Sequence, residues 1–119
     1  MRTWLKQPDG KNQCGQVAVA VIAGITLKNS IKLIGKKGCT ATKDLAKALR
    51  LLGYKCPNRL QRKPKPILGL GHLRYPGETR SHWVTLDGDK IYDGIYGTPD
   101  GKVHWKKDWK ITSYLPISK

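Results

Sequence analysis

Cys14-Gly15-Gln16-Val17-Ala18-Val19-Ala20-Val21-Ile22-Ala23 is an apolar run that opens on a cysteine, and its reading decides the fold. The run predicts a helix from near Cys14 that ends before Gly24. It puts a thiol at a helix N-terminus, where the dipole and unpaired N–H groups favour the thiolate. Far downstream the chain answers with Ser81-His82-Trp83-Val84-Thr85-Leu86 and Ile91-Tyr92-Asp93-Gly94. These two β-prone runs flank Asp87-Gly88-Asp89, a strong hairpin signal. A turn at Asp87-Gly88 pairs His82 with Asp93. A turn at Gly88-Asp89 pairs Val84 with Asp93, still on the same face as His82. Cys14, His82 and Asp93 therefore read as a thiol nucleophile, its base and the base's orienter. The plainer alternatives are a small buried cysteine at a core helix and a surface hairpin with an ordinary His and Asp.

The rest of the chain fits around this pair of elements. Leu27 to Ile34 predicts a short second helix, with Asn29 or Ser30 as caps and Gly35 and Gly38 as stops. A third helix starts at Thr42 as cap, carries Leu45, Ala48, Leu49 and Leu52 on one face, and closes at Gly53. Pro57 to Pro66 reads as a basic loop. From Ile67 the character changes to strand, first through Ile67-Leu68-Gly69-Leu70-Gly71-His72-Leu73 and then through the hairpin. Trp105, Trp109 and Tyr114 are expected to cover one edge of the sheet. Helices in about 14–53 beside antiparallel strands in about 65–119 make an α+β pattern in one domain.

Length and composition bound the function. A chain of 119 residues supports a single core. The apolar stretch from Val17 to Ile25 is too short to span a bilayer, and nothing reads as a signal peptide, so no membrane partner is expected. The three cysteines, Cys14, Cys39 and Cys56, are too few and odd in number for a secreted disulfide scaffold. A reduced, cytoplasmic protein is the simplest expectation. Cys39 and Cys56 lack CxxC or Cys/His spacing, so neither a metal nor another cofactor is expected.

The formal net charge is +15. The first sixty residues hold twelve Lys/Arg against Asp9 and Asp44 alone, and the densest cluster in the chain is Arg59, Arg62, Lys63 and Lys65 in the Pro-rich loop. Such a field attracts an acidic protein surface or nucleic acid, or simply keeps the chain soluble. Trp4, Trp83, Trp105 and Trp109 read as packing residues, with Trp83 placed beside His82 to floor a substrate cleft. His72 and His104 read as edge or core residues.

The ordered set of motifs resembles a known family. Gln13-Cys14-Gly15 with its alanine-rich helix is followed by Gly35-Lys36-Lys37-Gly38-Cys39-Thr40 and Asp44-Leu45. Then come Leu49-Arg50-Leu51-Leu52-Gly53-Tyr54, Lys65-Pro66-Ile67-Leu68, Ser81-His82-Trp83-Val84 and Tyr92-Asp93-Gly94. Over roughly residues 7 to 98 the chain is similar to compact papain-like cysteine peptidases. The closest pattern is that of the leader-cutting peptidase domains of bacterial peptide exporters and their stand-alone relatives. The resemblance implies a papain-like α+β fold in which Cys14 is the nucleophile, His82 the base and Asp93 its orienter. It also implies an oxyanion-hole glutamine upstream of the cysteine, for which Gln7 is the first candidate and Gln13 the alternative. The family usually has an acidic residue before the nucleophile and a proline after the Asp, where this chain has Gln13 and Gly94.

The expected function is thus a cysteine hydrolase, a peptidase or an isopeptidase/amidase, acting on a peptide or protein substrate. Two other classes remain open from the sequence. One is a basic nucleic-acid-binding or nuclease protein on the same fold. The other is a catalytically silent interaction or inhibitor module. Small size and high lysine content suit a phage or mobile-element accessory protein.

Overall fold

A computed structural model describes residues 2–76 and 81–119. Element order is α1 (Cys14–Ala23), α2 (Leu27–Ile34), α3 (Thr42–Leu51), β1 (Leu68–Arg74), β2 (Ser81–Asp87), β3 (Lys90–Tyr92) and β4 (Lys110–Pro116). The sheet is antiparallel in the order β3-β2-β1-β4, which is the α+β class that the pattern predicts.

Helix α1 is buried along almost its whole length, from Gly15 to Ile22, because an apolar run without a polar face has no side to give to water. It ends at Gly24, whose φ of 69° lies in the left-handed region that glycine adopts without strain. The chain then turns by 112° into α2. The cap of α2 is Thr26, whose side chain accepts from the Asn29 N–H at 3.1 Å, not the expected Asn29 or Ser30. Ser30 is instead drawn inward, its hydroxyl donating to the Gln16 carbonyl at 2.7 Å. Thr42 likewise is the first residue of α3, not its cap. Ala41 holds the cap position, and its N–H is taken by the Asp44 carboxylate at 2.8 Å, which also binds Lys36 Nζ at 2.8 Å. This is the N3 half of a capping box, made without a cap side chain to accept from the N3 N–H in return.

The core lies between α1, α3 and the sheet. Val19, Ile22, Leu45, Leu49, Leu70, Trp83 and Leu115 form one buried cluster. Strand β2 is buried from His82 to Leu86, so both of its faces are covered. Thr85 is reconciled with this burial by donating to the Ala18 carbonyl at 2.8 Å, which ties β2 to α1. Gly69 and Gly71 allow β1 its close neighbours: a Cβ on Gly69 would sit 2.5 Å from the Leu115 carbonyl oxygen. No single helix is long and apolar enough to cross a membrane among the described residues.

Candidate functional site

The hairpin adopts the Gly88-Asp89 turn. Thr85 pairs with Tyr92, Leu86 with Ile91 and Asp87 with Lys90. Gly88 takes a φ of 63°, which this turn requires of its first residue. Strand pairing stops at Tyr92, and Asp93 continues from it onto the side of the sheet that holds His82. The two side chains meet there, His82 Nε2 to Asp93 Oδ1 at 2.8 Å, with both groups almost completely buried.

Asp93 is held by four groups. Besides His82, its Oδ1 accepts from the N–H groups of Ile95 at 2.8 Å and Tyr96 at 3.0 Å, and its Oδ2 accepts from Trp105 Nε1 at 2.7 Å. Its backbone is fixed as well: Trp4 Nε1 donates to its carbonyl at 2.8 Å, and so does the Gly97 N–H at 3.0 Å. Burial by itself would raise the carboxyl pKa. The hydrogen bond and positive charge of His82, with the N–H donors, reverse this and hold it below the ordinary value. His82 mirrors the effect. Burial opposes its charge, yet the hydrogen bonds and charges of Asp93 and Cys14 lift it to about 9.

Cys14 completes the line. Since Nε2 of His82 faces Asp93, the other edge of the ring is left for the thiol. Burial pushes the thiol up; the hydrogen bond and charge of His82, with the backbone N–H groups of Trp83 and Gly15, outweigh it and leave the pKa lowered. The first turn of α1 carries no acidic residue and its cap position makes no side-chain hydrogen bond, so the helix itself sets no anion beside the sulfur. Thiol, imidazole and carboxylate thus stand in one hydrogen-bonded series.

A cavity of about 370 Å³ opens on this line. Cys14, His82, Trp83, Gln7, Tyr75 and Tyr96 line it, together with Cys39 and Thr40 of the α2–α3 connection. Gln7 arrives through the N-terminal arm, where its N–H donates to the Gly94 carbonyl at 2.8 Å. Gly94 permits the approach, for a Cβ there would lie 3.2 Å from the Gln7 nitrogen and 3.0 Å from Val17 Cγ1. The Gln7 side chain donates through Nε2 to the Lys11 carbonyl, which leaves that amide one further N–H. Gln13 points elsewhere, donating to the Lys37 carbonyl at 3.0 Å, and is absent from the cavity wall. Its neighbour Gln16 donates to the carbonyls of Lys36 at 3.0 Å and Gly38 at 2.7 Å. Gln13 at the cap of α1 and Gln16 within it thus clamp the 36–38 loop that presents Cys39 and Thr40.

Two of the C-terminal aromatics pack against residues of the site. Trp105 holds Asp93, and Trp109 packs on Tyr75 and Tyr96 with ring centres 4.7 and 5.0 Å away. Tyr114 belongs to the edge strand itself, where its backbone pairs with Gln61. His72 packs at a tilt against Trp83, ring centres 4.7 Å apart, and does not line the cavity, while His104 is exposed. Arg59, Arg62, Lys63 and Lys65 lie exposed in the loop before β1, on a part of the surface separate from the cavity wall. Sequence reasoning missed Trp4, Tyr75, Tyr96 and the bond from Trp105. A tryptophan that donates to a buried carboxylate leaves no spacing signal, because its partner is set by the path of a loop. Among the described residues no group of three or more His, Cys, Asp and Glu side chains is placed to hold a metal ion.

Comparison of the chain with protein-family models gives no match, and comparison with curated proteins gives none either.

Proposed function

We propose that this chain is a papain-like cysteine hydrolase that cleaves an amide bond of a peptide or protein by acyl transfer through Cys14. The observation that carries the reading is the continuous line from Cys14 through His82 to Asp93, opening on one cavity. A buried histidine held by a fully buried carboxylate stays cationic at neutral pH, and an adjacent thiol stays ionised with it.

The chemistry follows from the groups present. The Cys14 thiolate attacks the carbonyl carbon, forming the S–C bond, and the negative charge moves to the carbonyl oxygen. Gln7 Nε2, through its remaining N–H, and the Cys14 backbone N–H are the donors proposed for that oxygen. The C–N bond then breaks as His82 transfers its proton to the departing amine, leaving a thioester on Cys14. Neutral His82 next takes a proton from water, hydroxide adds to the thioester, and the S–C bond breaks to return thiolate and a carboxylic acid. Asp93 keeps the Nε2 proton and the ring orientation throughout. Trp83 floors the cleft.

The test is turnover of a pool of unstructured peptides read by mass spectrometry. The native chain is expected to produce new termini, and Cys14→Ala is expected to produce none. Equal products from both, or none from either across peptide and isopeptide conjugates, would overturn the proposal.

A further inference from the structure

A second concave surface lies toward the Leu68 end of β1, whereas His82 is paired with Leu73 near the other end of that strand. It has a volume of about 480 Å³, and its walls are Cys56, Pro57, Pro66, Ile67, Leu68 and Ile117. It shares none of the residues around Cys14. Ile67 is 82 % exposed, more than Leu51 at 64 % or Ile95 at 47 %. A lone exposed apolar residue needs no explanation, but one seated on an apolar groove presents a contact surface.

The groove is prebuilt. Lys55 and Ser118 exchange backbone hydrogen bonds of 2.6 and 3.0 Å, and Gln61 and Tyr114 exchange bonds of 2.8 and 2.7 Å. Arg50 Nε donates to the Cys56 carbonyl at 2.9 Å, and Gln61 Nε2 donates to the Pro64 carbonyl at 2.9 Å. The connection that joins the two walls is therefore fixed without help from its own cations. Lys55, Arg59, Arg62, Lys63 and Lys65 are all exposed and form no ion pair with a described residue. Between Asp44 and Glu78 the sequence has eight Lys/Arg and no acidic residue, so no neighbour in the chain neutralises them.

The geometry points to a docking site for an acidic, amphipathic peptide segment of a protein partner, its apolar side chain against Ile67 and its carboxylates on the basic loop. Charge complementarity chooses the sign of the occupant, and the apolar floor chooses its kind. Nucleic acid would use the same cations but binds single strands by stacking bases on aromatic rings, and no aromatic residue lines the groove. The site stands independently of the chemistry at Cys14. It would let a partner hold the chain while the cavity stays open.

Cys56 on the groove wall is a built-in reporter. The probe is a synthetic peptide of alternating Asp and Leu, compared with an Asp/Ser peptide of equal charge and with an oligothymidylate of equal charge. The Asp/Leu peptide is expected to slow alkylation of Cys56 while leaving Cys14 unchanged, and to lose affinity steeply with salt. The Asp/Ser peptide should bind at least about tenfold more weakly, and Ile67→Ser should cost the Asp/Leu peptide a similar factor. Lys63→Glu with Lys65→Glu should weaken both peptides. All three positions are exposed, and thermal melts check that the variants stay folded. Equal binding of the two peptides, an unprotected Cys56, or tighter oligothymidylate binding that ignores Ile67→Ser would overturn the proposal.

Discussion

Replacing Asp93 with asparagine removes a charge and keeps the shape, so its effect can be worked out contact by contact. The carboxylate meets His82 and the Ile95 and Tyr96 N–H groups through Oδ1, and Trp105 through Oδ2. An asparagine that keeps its oxygen on the first three turns its NH2 against the indole N–H, donor against donor. His82 also loses Asp93, one of the two anions that lift it to about 9, and Cys14 alone is left to oppose burial, so its pKa falls. The whole lift from 6.5 to about 9 is linked to roughly 3 kcal/mol of stability, which bounds this loss from above. The sign follows from the direction: a raised histidine pKa contributes fully below pH 6.5, and the contribution is lost as pH rises through about 9. The donor conflict costs about 1–3 kcal/mol more. Urea unfolding of Asp93→Asn should therefore show its largest deficit between pH 3.8 and 6.5, narrowing above pH 9. Adding Trp105→Phe removes the opposing donor, so the double variant should be more stable than the sum of the single losses by about 1 kcal/mol or more. A His82 ring that still titrates near 9 by NMR in Asp93→Asn, or strict additivity with Trp105→Phe, would refute the reasoning.

Four further outcomes are expected. Gly15→Ala places a Cβ 2.2 Å from Thr40 Oγ1 and 3.1 Å from Leu45 Cδ2, and should lose about 1–3 kcal/mol in denaturant titration. Thr40→Ala should recover part of that loss, since the buried hydroxyl it removes has no hydrogen-bond partner among the described residues. Gly97→Ala puts a Cβ 2.5 Å from the Asp93 carbonyl oxygen, so it should lower both the melting temperature and the alkylation rate of Cys14. Gln7→Ala should leave Cys14 alkylation close to native while reducing peptide turnover about a hundredfold or more, which separates oxyanion binding from thiolate formation. In acid, the lowered pKa of Asp93 contributes stability above 3.8 that is lost as pH falls through its folded value, so Asp93→Asn should flatten the acid limb of the native melting profile.

The three helices and the hairpin were legible because their signals are local. An apolar run, a Gly after a helix and a Gly-Asp turn each act over a few residues. The caps of α2 and α3 were less so, because Thr26 and Asp44 compete with nearby residues of the same chemistry and the backbone path decides between them. The same-face relation of His82 and Asp93 survived either hairpin register, since a two-residue turn fixes the parity of the sheet. The choice between Gln7 and Gln13 could not be read locally. It rests on the N-terminal arm bonding to Gly94 and on Gln13 bonding to the 36–38 loop. Trp4 and Trp105 reach Asp93 across 89 and 12 residues of chain, and neither pairing has a sequence period. The basic loop was visible as charge, but the apolar groove beneath it needs the C-terminal strand alongside.

The most direct measurement is the alkylation rate of Cys14 against pH, followed by peptide mapping so that Cys39 and Cys56 are counted separately, in the native chain and in His82→Ala. Circular dichroism and a thermal melt establish that the variant is folded, and His82→Gln serves if it is not. A thiolate linked to His82 should keep the native rate high well below 9.0, the ordinary value for this thiol, and the variant should react as an ordinary cysteine. Ordinary titration of Cys14 in the native chain, or a profile that ignores the loss of His82, would contradict the ion pair on which the proposed chemistry rests.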